Sequence, residues 1–198
     1  MAQKFLARGK RGIVFLEEQD GEKICVKKPN PKSTAIYRLE NEARFLQKLN
    51  AYGVGPKFIS IKENELRMEF VDGERILKYF ENNDKDKIKK IILLVFGQLR
   101  IMDELHINKK EMTNPYKHII IRSHRPIMID FERCSYSNKP SNITQFCQFL
   151  VREKTRMILE EKGVIFGKQK ILELAKIYKN EPSGRNFHEI RKVFTLER

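Results

Sequence analysis

Two ionisable residues follow apolar runs in the sequence, where their chemistry would be useful. Lys27 follows the run 24–26, and a lysine in that place can pair with a phosphate group as a point charge. Asp130 follows the run 126–129, and a carboxylate at the end of a buried strand is a suitable oxygen ligand for Mg²⁺. Taken singly, each has an ordinary alternative, which is a solvated lysine for Lys27 and a turn-forming or helix-capping aspartate for Asp130.

Glu42 carries the strongest physical argument. Successive residues of a helix are about 100° apart, which puts Glu42 between Leu46 and Leu49 on the apolar face of a predicted helix. A carboxylate is costly to bury without a partner, so Glu42 requires a cation. Lys27, on the strand that such a helix would cover, is the expected partner. The alternative is a rotated helix with Glu42 at the edge of the interface.

The first 72 residues read as a small antiparallel sheet with one inserted helix. Apolar residues at three- and four-residue spacing predict a helix from Ser33 or Thr34, either of which can cap it, to Tyr52, where Gly53 stops it. Alternating apolar residues predict strands, which are 4–7, a hairpin over 13–27 and two strands near 57–61 and 65–71.

Residues 73–198 read as mainly helical. No low-complexity linker separates them from the first part, so we interpret the boundary near Asp72 as a hinge between two lobes of one domain. The predicted helices are 76–80, 85–106, 142–161, 168–179 and 187–194, and a second hairpin pairs 118–121 with 127–131.

The composition is that of a soluble globular protein, with 40% hydrophobic and 33% charged residues. No apolar run approaches the roughly 20 residues of a membrane span, and the N-terminus lacks the apolar stretch of a signal peptide. We therefore predict a cytoplasmic protein with no membrane association. The three cysteines have no CxxC spacing, which argues against a disulfide framework or a zinc site, and we predict that they are small buried residues.

The net charge of +14 allows two interpretations. A basic surface attracts polyanions, so RNA or a ribonucleoprotein is a candidate partner. No Arg/aromatic RNA-binding motif is visible, however, and a surface rich in Lys and Glu is also typical of thermophile proteins covered with ion pairs.

The order of several segments resembles the protein-kinase-like superfamily and is most similar to small archaeal RIO-type and KEOPS-complex kinases. The resemblance covers residues 4–161 and consists of a glycine loop followed by ICVK, ENEARFL, VGPKFISI, MEFVDG, ELH and MIDFE. It implies an α+β, bilobal fold with a small antiparallel N-lobe sheet, one helix and a compact helical C-lobe. It also implies ATP and Mg²⁺ as cofactors and phosphoryl transfer, with a protein serine or threonine as acceptor and a small molecule as a variant.

The resemblance implies roles for individual residues. Lys27 and Glu42 would orient the triphosphate, and Asp130 would bind Mg²⁺. The other nucleotide-binding positions are Gly9 and Gly12 over the phosphates, Met68 beside the adenine, and Glu69 to Val71 as the interlobe hinge.

The catalytic loop departs from the family. Its pattern is His-Arg-Asp with an Asn five residues after the Asp, but this chain has Thr113 at the Asp position and His118 at the Asn position. Threonine cannot replace the aspartate, so Glu111 is our candidate acceptor-side carboxylate, with a solvated residue as the alternative. His118 could contact metal or phosphate, as in similar lipopolysaccharide-core kinases, and Lys117 could neutralise the transferred phosphoryl group.

Two further departures leave the activity open. Glu132 stands where the family has the glycine of its Asp-Phe-Gly motif, which suggests a stiff segment in place of a switchable loop. The Ala-Pro-Glu motif is missing as well, which weakens the case for a conventional protein substrate. The alternative hypothesis is therefore a pseudokinase, a nucleotide-binding or scaffold module of a complex. His106, at the end of the predicted long helix, is interpreted as a structural packing residue.

Overall fold

A computed structural model describes residues 3–32 and 38–195. The predicted helix start at Ser33 or Thr34 lies outside these ranges. Within them the chain is α+β, with a small antiparallel sheet and several helices, as predicted for the fold class. No helix in the described ranges combines the length and the apolar character that a membrane span requires.

The described chain divides into two compact units. Unit 1 contains the described residues up to Asp72 together with Ile127–Cys134, and unit 2 contains Gly73–Pro126 and the described residues from Ser135 onward. Residues 127–134, which the sequence analysis assigned to the second part, thus belong to unit 1. Asp130 is therefore in the same unit as Lys27 and Glu42.

Unit 1 is built on a five-stranded antiparallel sheet in the order β1-β2-β3-β5-β4. Helix α1, Arg38–Asn50, packs on the sheet with Leu39, Ala43, Phe45, Leu46 and Leu49 buried. The strands are β1 Lys4–Arg8, β2 Gly12–Gln19, β3 Glu22–Pro29, β4 Phe58–Lys62 and β5 Glu65–Glu69.

Two glycines fix turns in unit 1. The β2-β3 hairpin turns through Asp20 and Gly21, both at positive φ (53° and 79°), which is the arrangement that matches the twist of adjacent strands. Gly55, at φ 87°, has no room for a side chain, because a Cβ there would lie 2.8 Å from Leu46 and 2.9 Å from Phe131. Phe131 therefore packs directly against the chain that follows α1.

Unit 2 is mainly helical. Its longest helix buries one broad face, and Asp84 caps its start by accepting a hydrogen bond from the Lys87 N–H. The helices are α2 Ile76–Asn82, α3 Lys85–Glu104, α4 Asn142–Leu150, α5 Glu153–Glu161, α6 Lys168–Asn180 and α7 Gly184–Thr195. The strands are β6 Glu74–Arg75, β7 Ile107–Asn108, β8 Ile119–Arg122, β9 Arg125–Met128 and β10 Ser135–Tyr136, of which β9 leads the chain back to unit 1.

Several predicted boundaries are corrected. Helix α1 ends at Asn50 and not at Tyr52, and α3 ends at Glu104. His106 lies beyond α3 at φ 56° with an exposed side chain, so its predicted place in the helix and the packing of its side chain are wrong. A structural role is not contradicted, because its main chain is hydrogen-bonded to Asp103 and Ser137. The predicted helix 142–161 divides into α4 and α5 at residues 151–152. The two-residue strands β6, β7 and β10 are too short to show alternation in a sequence.

The second hairpin is shorter than predicted. It pairs β8 with β9 and turns at Ser123 and His124, which are both at positive φ. The predicted strand to Phe131 ends at Met128, so Asp130 lies in an irregular segment. The cysteine prediction holds for Cys134 and Cys147, which are buried and free, whereas Cys25 is half-buried.

Candidate functional site

Lys27 lies on β3, the middle strand of the unit 1 sheet. Its Cα is opposite Val14 of β2 and Leu66 of β5, so strands on both sides hold its backbone. The side chain is 10% exposed. It passes beneath Gly12, where a Cβ would lie 3.1 Å from the Lys27 Cε. The missing side chain at Gly12 therefore leaves room for the lysine stem.

Glu42 is the partner predicted for Lys27. Its Oε2 accepts a hydrogen bond from the Lys27 Nζ at 2.7 Å, and its Oε1 accepts one from the Phe131 N–H at 3.1 Å. The residue is buried on the face of α1 that meets the sheet, so the alternative of a rotated helix is wrong. The ion pair predicted from the helical spacing is present.

Asp130 approaches Lys27 from the segment after β9. Its Oδ1 accepts a hydrogen bond from the Lys27 Nζ at 3.0 Å, and 35% of its side chain is exposed. Its φ of 64° is uncommon for a residue other than glycine. Such backbone conformations occur often at functional sites, where the surrounding structure enforces them.

Two further residues, Arg11 and Glu132, complete the group. The sequence analysis gave neither of them a role in the site. Glu132 Oε2 lies 3.4 Å from the Lys27 Nζ, and Glu132 Oε1 lies 3.0 Å from the Arg11 Nη1. A weak signal was available for each, because Glu132 is two residues from Asp130 and Arg11 stands in the glycine loop. These residues form the group that we call the Lys27 cluster, namely Arg11, Lys27, Glu42, Asp130 and Glu132.

The Lys27 cluster has one negative charge in excess when all its members are ionised. Burial by itself lowers the pKa of the Lys27 ammonium, but the charge of Glu42, followed by those of Asp130 and Glu132, outweighs burial and holds this pKa well above its usual range. Burial raises the pKa of the Glu42 carboxyl, and the charge of Lys27 opposes that rise. Lys27 is therefore held as a cation.

The carboxylates of the cluster could share a metal ion. One oxygen each from Glu42, Asp130 and Glu132 lie within 4.8 Å of one another, and no other group of three acidic, histidine or cysteine residues in the described ranges meets this condition. Carboxylate oxygens suit Mg²⁺. Asp130 has the most exposed side chain of the three and is the member best placed to bind an ion. His118 is not part of such a group.

The glycine loop between β1 and β2 is fixed from the end of β3. The Gly9 N–H donates to the Gly12 carbonyl at 2.8 Å. The Asn30 side chain donates to the Gly9 carbonyl, and the Asn30 N–H donates to the Arg11 carbonyl at 2.9 Å. The loop that carries Arg11 is thereby tied to the strand that carries Lys27.

The residues predicted to contact the base lie on or just after β5. Met68 is buried and opposite Cys25 of β3. Glu69 Oε2 accepts a hydrogen bond from the Lys57 N–H at 3.1 Å, and Val71 is buried. The roles predicted for these residues beside an adenine and at a hinge stay predictions.

The catalytic-loop candidates belong to unit 2, between β7 and β8. Glu111 is mostly buried, with Oε2 3.9 Å from the Nζ of the buried Lys109, so the alternative of a solvated Glu111 is wrong. Lys117 is exposed, and its Nζ lies 5.4 Å from the centre of the Tyr116 ring. His118 is half-buried and follows the short 3-10 helix Pro115–Lys117.

Unit 2 contains a second buried carboxylate that the sequence analysis did not single out. Asp103 on α3 accepts hydrogen bonds from the Asn142 Nδ2 at 2.7 Å and the Tyr178 hydroxyl at 3.1 Å. Asn142 also accepts from the Lys109 N–H and donates to the Ile107 carbonyl. Burial raises the pKa of Asp103 to about 6. We call Asp103, Asn142 and Tyr178 the Asp103 network.

A cavity of about 520 Å³ lies elsewhere in unit 2. Its walls combine an apolar surface with lysine side chains, and two of its lining residues, Glu189 and Lys192, form an ion pair. It is lined by Lys85, Lys89, Gly163, Val164, Ile165, Phe166, Gly167, Lys170, Leu174, Glu189, Lys192, Val193 and Phe194. None of the residues predicted to bind a nucleotide lines it.

Known proteins that are similar to this chain do not indicate its function. No model of a known protein family matches the chain. The chain is similar to an uncharacterized protein of Methanocaldococcus jannaschii, with 28% identity over 115 residues, which are 57% of this chain and 98% of that protein. This relative has no described function, so the Lys27 cluster is the main guide to what the chain does.

Proposed function

We propose that the chain binds ATP and Mg²⁺ at the Lys27 cluster and is a phosphotransferase of the protein-kinase-like superfamily, with unit 1 and unit 2 as the lobes of that fold. One observation carries this proposal. A strand lysine, Lys27, is held 2.7 Å from a helix carboxylate, Glu42, and 3.0 Å from Asp130, in the chain order in which kinases present these groups.

The free-energy cost of burying the charges of the Lys27 cluster supports a binding role. Removing charges from water is expensive, and a buried ion pair is often no more stabilising than apolar residues of the same volume. The cluster gathers five charged residues, has a negative excess and leaves Asp130 partly exposed. Such groups are more common at functional sites than in ordinary packing.

The proposed roles follow from these positions. Lys27 would contact the α- and β-phosphates, and Glu42 would hold it in place and keep it charged. Asp130 would hold Mg²⁺, which neutralises phosphate charge when bound. The loop from Gly9 to Gly12 would lie over the phosphates, and Met68 to Val71 would contact the adenine.

The residues proposed to position the phosphate acceptor have weaker support than those proposed to bind ATP. Glu111, Lys117 and His118 are the candidates in unit 2, with a protein serine or threonine as the proposed acceptor and a small molecule as the variant. Glu111 is the best candidate for orienting a hydroxyl group, because it is a carboxylate near the altered position Thr113. An imperfect base lowers the rate of phosphoryl transfer but need not abolish it, because positioning and charge supply most of the catalysis.

A pseudokinase is the second candidate, favoured by the observation that Thr113 replaces the catalytic aspartate. Both candidates can be tested with Mg-ATP, Asp130→Ala and the exposed control Asp72→Ala. ATP should raise the melting temperature of the wild type and of Asp72→Ala, and much less that of Asp130→Ala. Transfer or hydrolysis of the ³²P-labelled γ-phosphoryl group of ATP at a rate above that of Asp130→Ala supports the kinase. ATP binding without transfer or hydrolysis supports the pseudokinase. No effect of ATP on the folded wild type or on the folded Asp72→Ala variant would contradict the kinase and the nucleotide-binding pseudokinase, and would leave only a scaffold role.

A further inference from the structure

All three N–H donors of Lys27 are already used. An ammonium group has three donors, and its partners here are three carboxylates, namely Glu42, Asp130 and Glu132, at 2.7, 3.0 and 3.4 Å. A phosphate oxygen therefore cannot receive a hydrogen bond from Lys27 until one carboxylate moves away. The three contacts are unequal, so the structure indicates which one moves.

Glu132 makes the longest of the three contacts with Lys27 and is our candidate for displacement. Glu42, in contrast, is fully buried and also receives the Phe131 N–H. The Glu132 main chain is anchored, because its carbonyl accepts a hydrogen bond from the Asn41 Nδ2 at 3.0 Å. Only the side chain of Glu132 would have to rotate.

Glu132 also bridges two cations. One of its oxygens faces Lys27 and the other faces Arg11 at 3.0 Å, on a glycine loop where the Arg11 side chain is 32% exposed. Proteins also bind a phosphate group in this way, with two cationic side chains that each contact a different oxygen of the anion. The Glu132 carboxylate thus has the charge and the partners that a bound phosphate would have.

We infer that Glu132 occupies the position of a nucleotide phosphate, and that Arg11 and Lys27 bind this phosphate once Glu132 has been displaced. This inference rests on the proposed binding of ATP at the Lys27 cluster. Binding then exchanges a carboxylate for a phosphate oxygen between the same two cations. Every ATP molecule must displace Glu132, so the native residue weakens binding, and Arg11 is a further phosphate-binding residue.

The test measures ATP affinity by isothermal titration calorimetry, with Mg²⁺ and with EDTA. Glu132→Gln removes the competing charge and should bind ATP more tightly than the wild type, on the order of tenfold, or about 1.4 kcal/mol. Adding Arg11→Gln to Glu132→Gln should reverse most of this gain. Arg11 is tested in the Glu132→Gln background because the single Arg11 variant would also release Glu132 from its ion pair.

Glu17→Gln is the matched control. Glu17 is a buried glutamate of unit 1 that pairs with Arg67 at 3.0 Å. It lies opposite Ile24 in the β2-β3 register, three residues from Lys27, so the two side chains are on opposite faces of the sheet. This substitution should leave ATP affinity unchanged. Glu132→Ala makes the same prediction as Glu132→Gln and replaces it should that variant fail to fold.

The outcomes separate this inference from the proposed function. Tighter binding by Glu132→Gln supports both, whereas binding by that variant alone supports the role of Glu132 and contradicts ATP binding by the native chain. If the wild type binds ATP and folded Glu132→Gln binds it equally or more weakly, Glu132 is no phosphate substitute, while ATP binding stands. Absence of binding by both folded proteins overturns the two proposals together.

Discussion

The Lys27 cluster of unit 1 and the Asp103 network of unit 2 use buried helix carboxylates in different ways. Glu42 on α1 faces an ammonium group that two further carboxylates also contact. Asp103 on α3 receives hydrogen bonds from an amide and a hydroxyl, both neutral. Both carboxylates lie on apolar helical faces, yet their partners differ in charge.

This difference agrees with the binding role that we propose for the Lys27 cluster and with a structural role for the Asp103 network. The side chain of Asn142 joins Asp103 to the main chain at Ile107 and Lys109, so the Asp103 network fixes the segment after α3. The Lys27 cluster has more charges than a link requires, and one of its carboxylates is partly exposed. A carboxylate on an apolar helix face therefore shows that a partner exists, and the charge of the partner suggests its purpose.

Breaking the Lys27 cluster should cause the largest loss of stability and of ATP binding. Lys27→Met leaves Glu42 buried without its cation, and removal of one partner from a buried pair costs about 3–5 kcal/mol. Urea unfolding should show this loss, and ATP binding should disappear. The matched control is Lys28→Met, which removes a half-exposed ion pair with Glu65 and should cost less than about 1 kcal/mol. Equal losses for the two variants would contradict the comparison.

Breaking the Asp103 network should cost stability without changing ATP affinity. Asn142→Ala removes one partner each from the Asp103 carboxylate, the Ile107 carbonyl and the Lys109 N–H, and each buried group left unpaired costs about 1–3 kcal/mol. We expect a loss of about 3 kcal/mol in urea unfolding. Asn186→Ala, at an exposed hydrogen bond, serves as the control. A change in ATP affinity of the folded Asn142 variant would show that the Asp103 network is not purely structural.

Asp103 should also give unit 2 a distinctive pH dependence. Its pKa is about 6 in the folded protein, whereas an unfolded aspartate titrates at about 3.9, so the folded state holds the proton more tightly. Its contribution to stability is therefore largest below about pH 4 and falls as the pH rises to about 6, by on the order of 2 kcal/mol. The measurement is the difference in unfolding free energy between the wild type and Asp103→Asn across this range.

The contribution of Glu17 to stability should depend on pH in the opposite direction to that of Asp103. The hydrogen bond from Arg67 lowers the pKa of the Glu17 carboxyl, although burial opposes this effect. The stabilising contribution of Glu17 is therefore present at neutral pH and lost as the pH falls through its lowered pKa. The difference between the wild type and Glu17→Gln should increase with pH. A common sign for the Glu17 and Asp103 profiles would contradict our account of one of them.

The smallest expected effects come from two glycines. Gly12→Ala brings a Cβ to 3.1 Å from the Lys27 Cε and to 3.3 Å from the Lys28 carbonyl oxygen, which shifts the buried Lys27 side chain and should cost about 1 kcal/mol of stability while weakening ATP binding severalfold. Gly97→Ala, in the middle of α3 with open space around it, should instead stabilise the protein by about 0.5–1 kcal/mol. Unchanged ATP affinity in Gly12→Ala would argue against a role for Lys27 in binding.

Part of the site could be predicted because it depends on local periodicity. The spacing of apolar residues around Glu42 identifies its helical face, and the alternation around Lys27 identifies its strand. Burial of Glu42 then requires a hydrogen-bonding or charged partner, whatever the rest of the fold. Asp103 carries the same signal on α3, and the same reasoning could have found it. Segment ends were less predictable, because His106 and Asp130 adopt positive φ values that side-chain spacing does not indicate.

The sequence by itself determined that Glu42 stands on the apolar face of a helix and needs a partner if it is buried, because helical spacing and the cost of burying a charge are local properties. Only the tertiary structure added Arg11 and Glu132 to the charges around Lys27. Arg11 and Glu132 are 121 residues apart in the chain, and no pattern within either segment indicates that they meet. Their contact arises because the 127–134 segment returns to unit 1. The inference about Glu132 therefore depends on packing between distant segments, which periodicity cannot show.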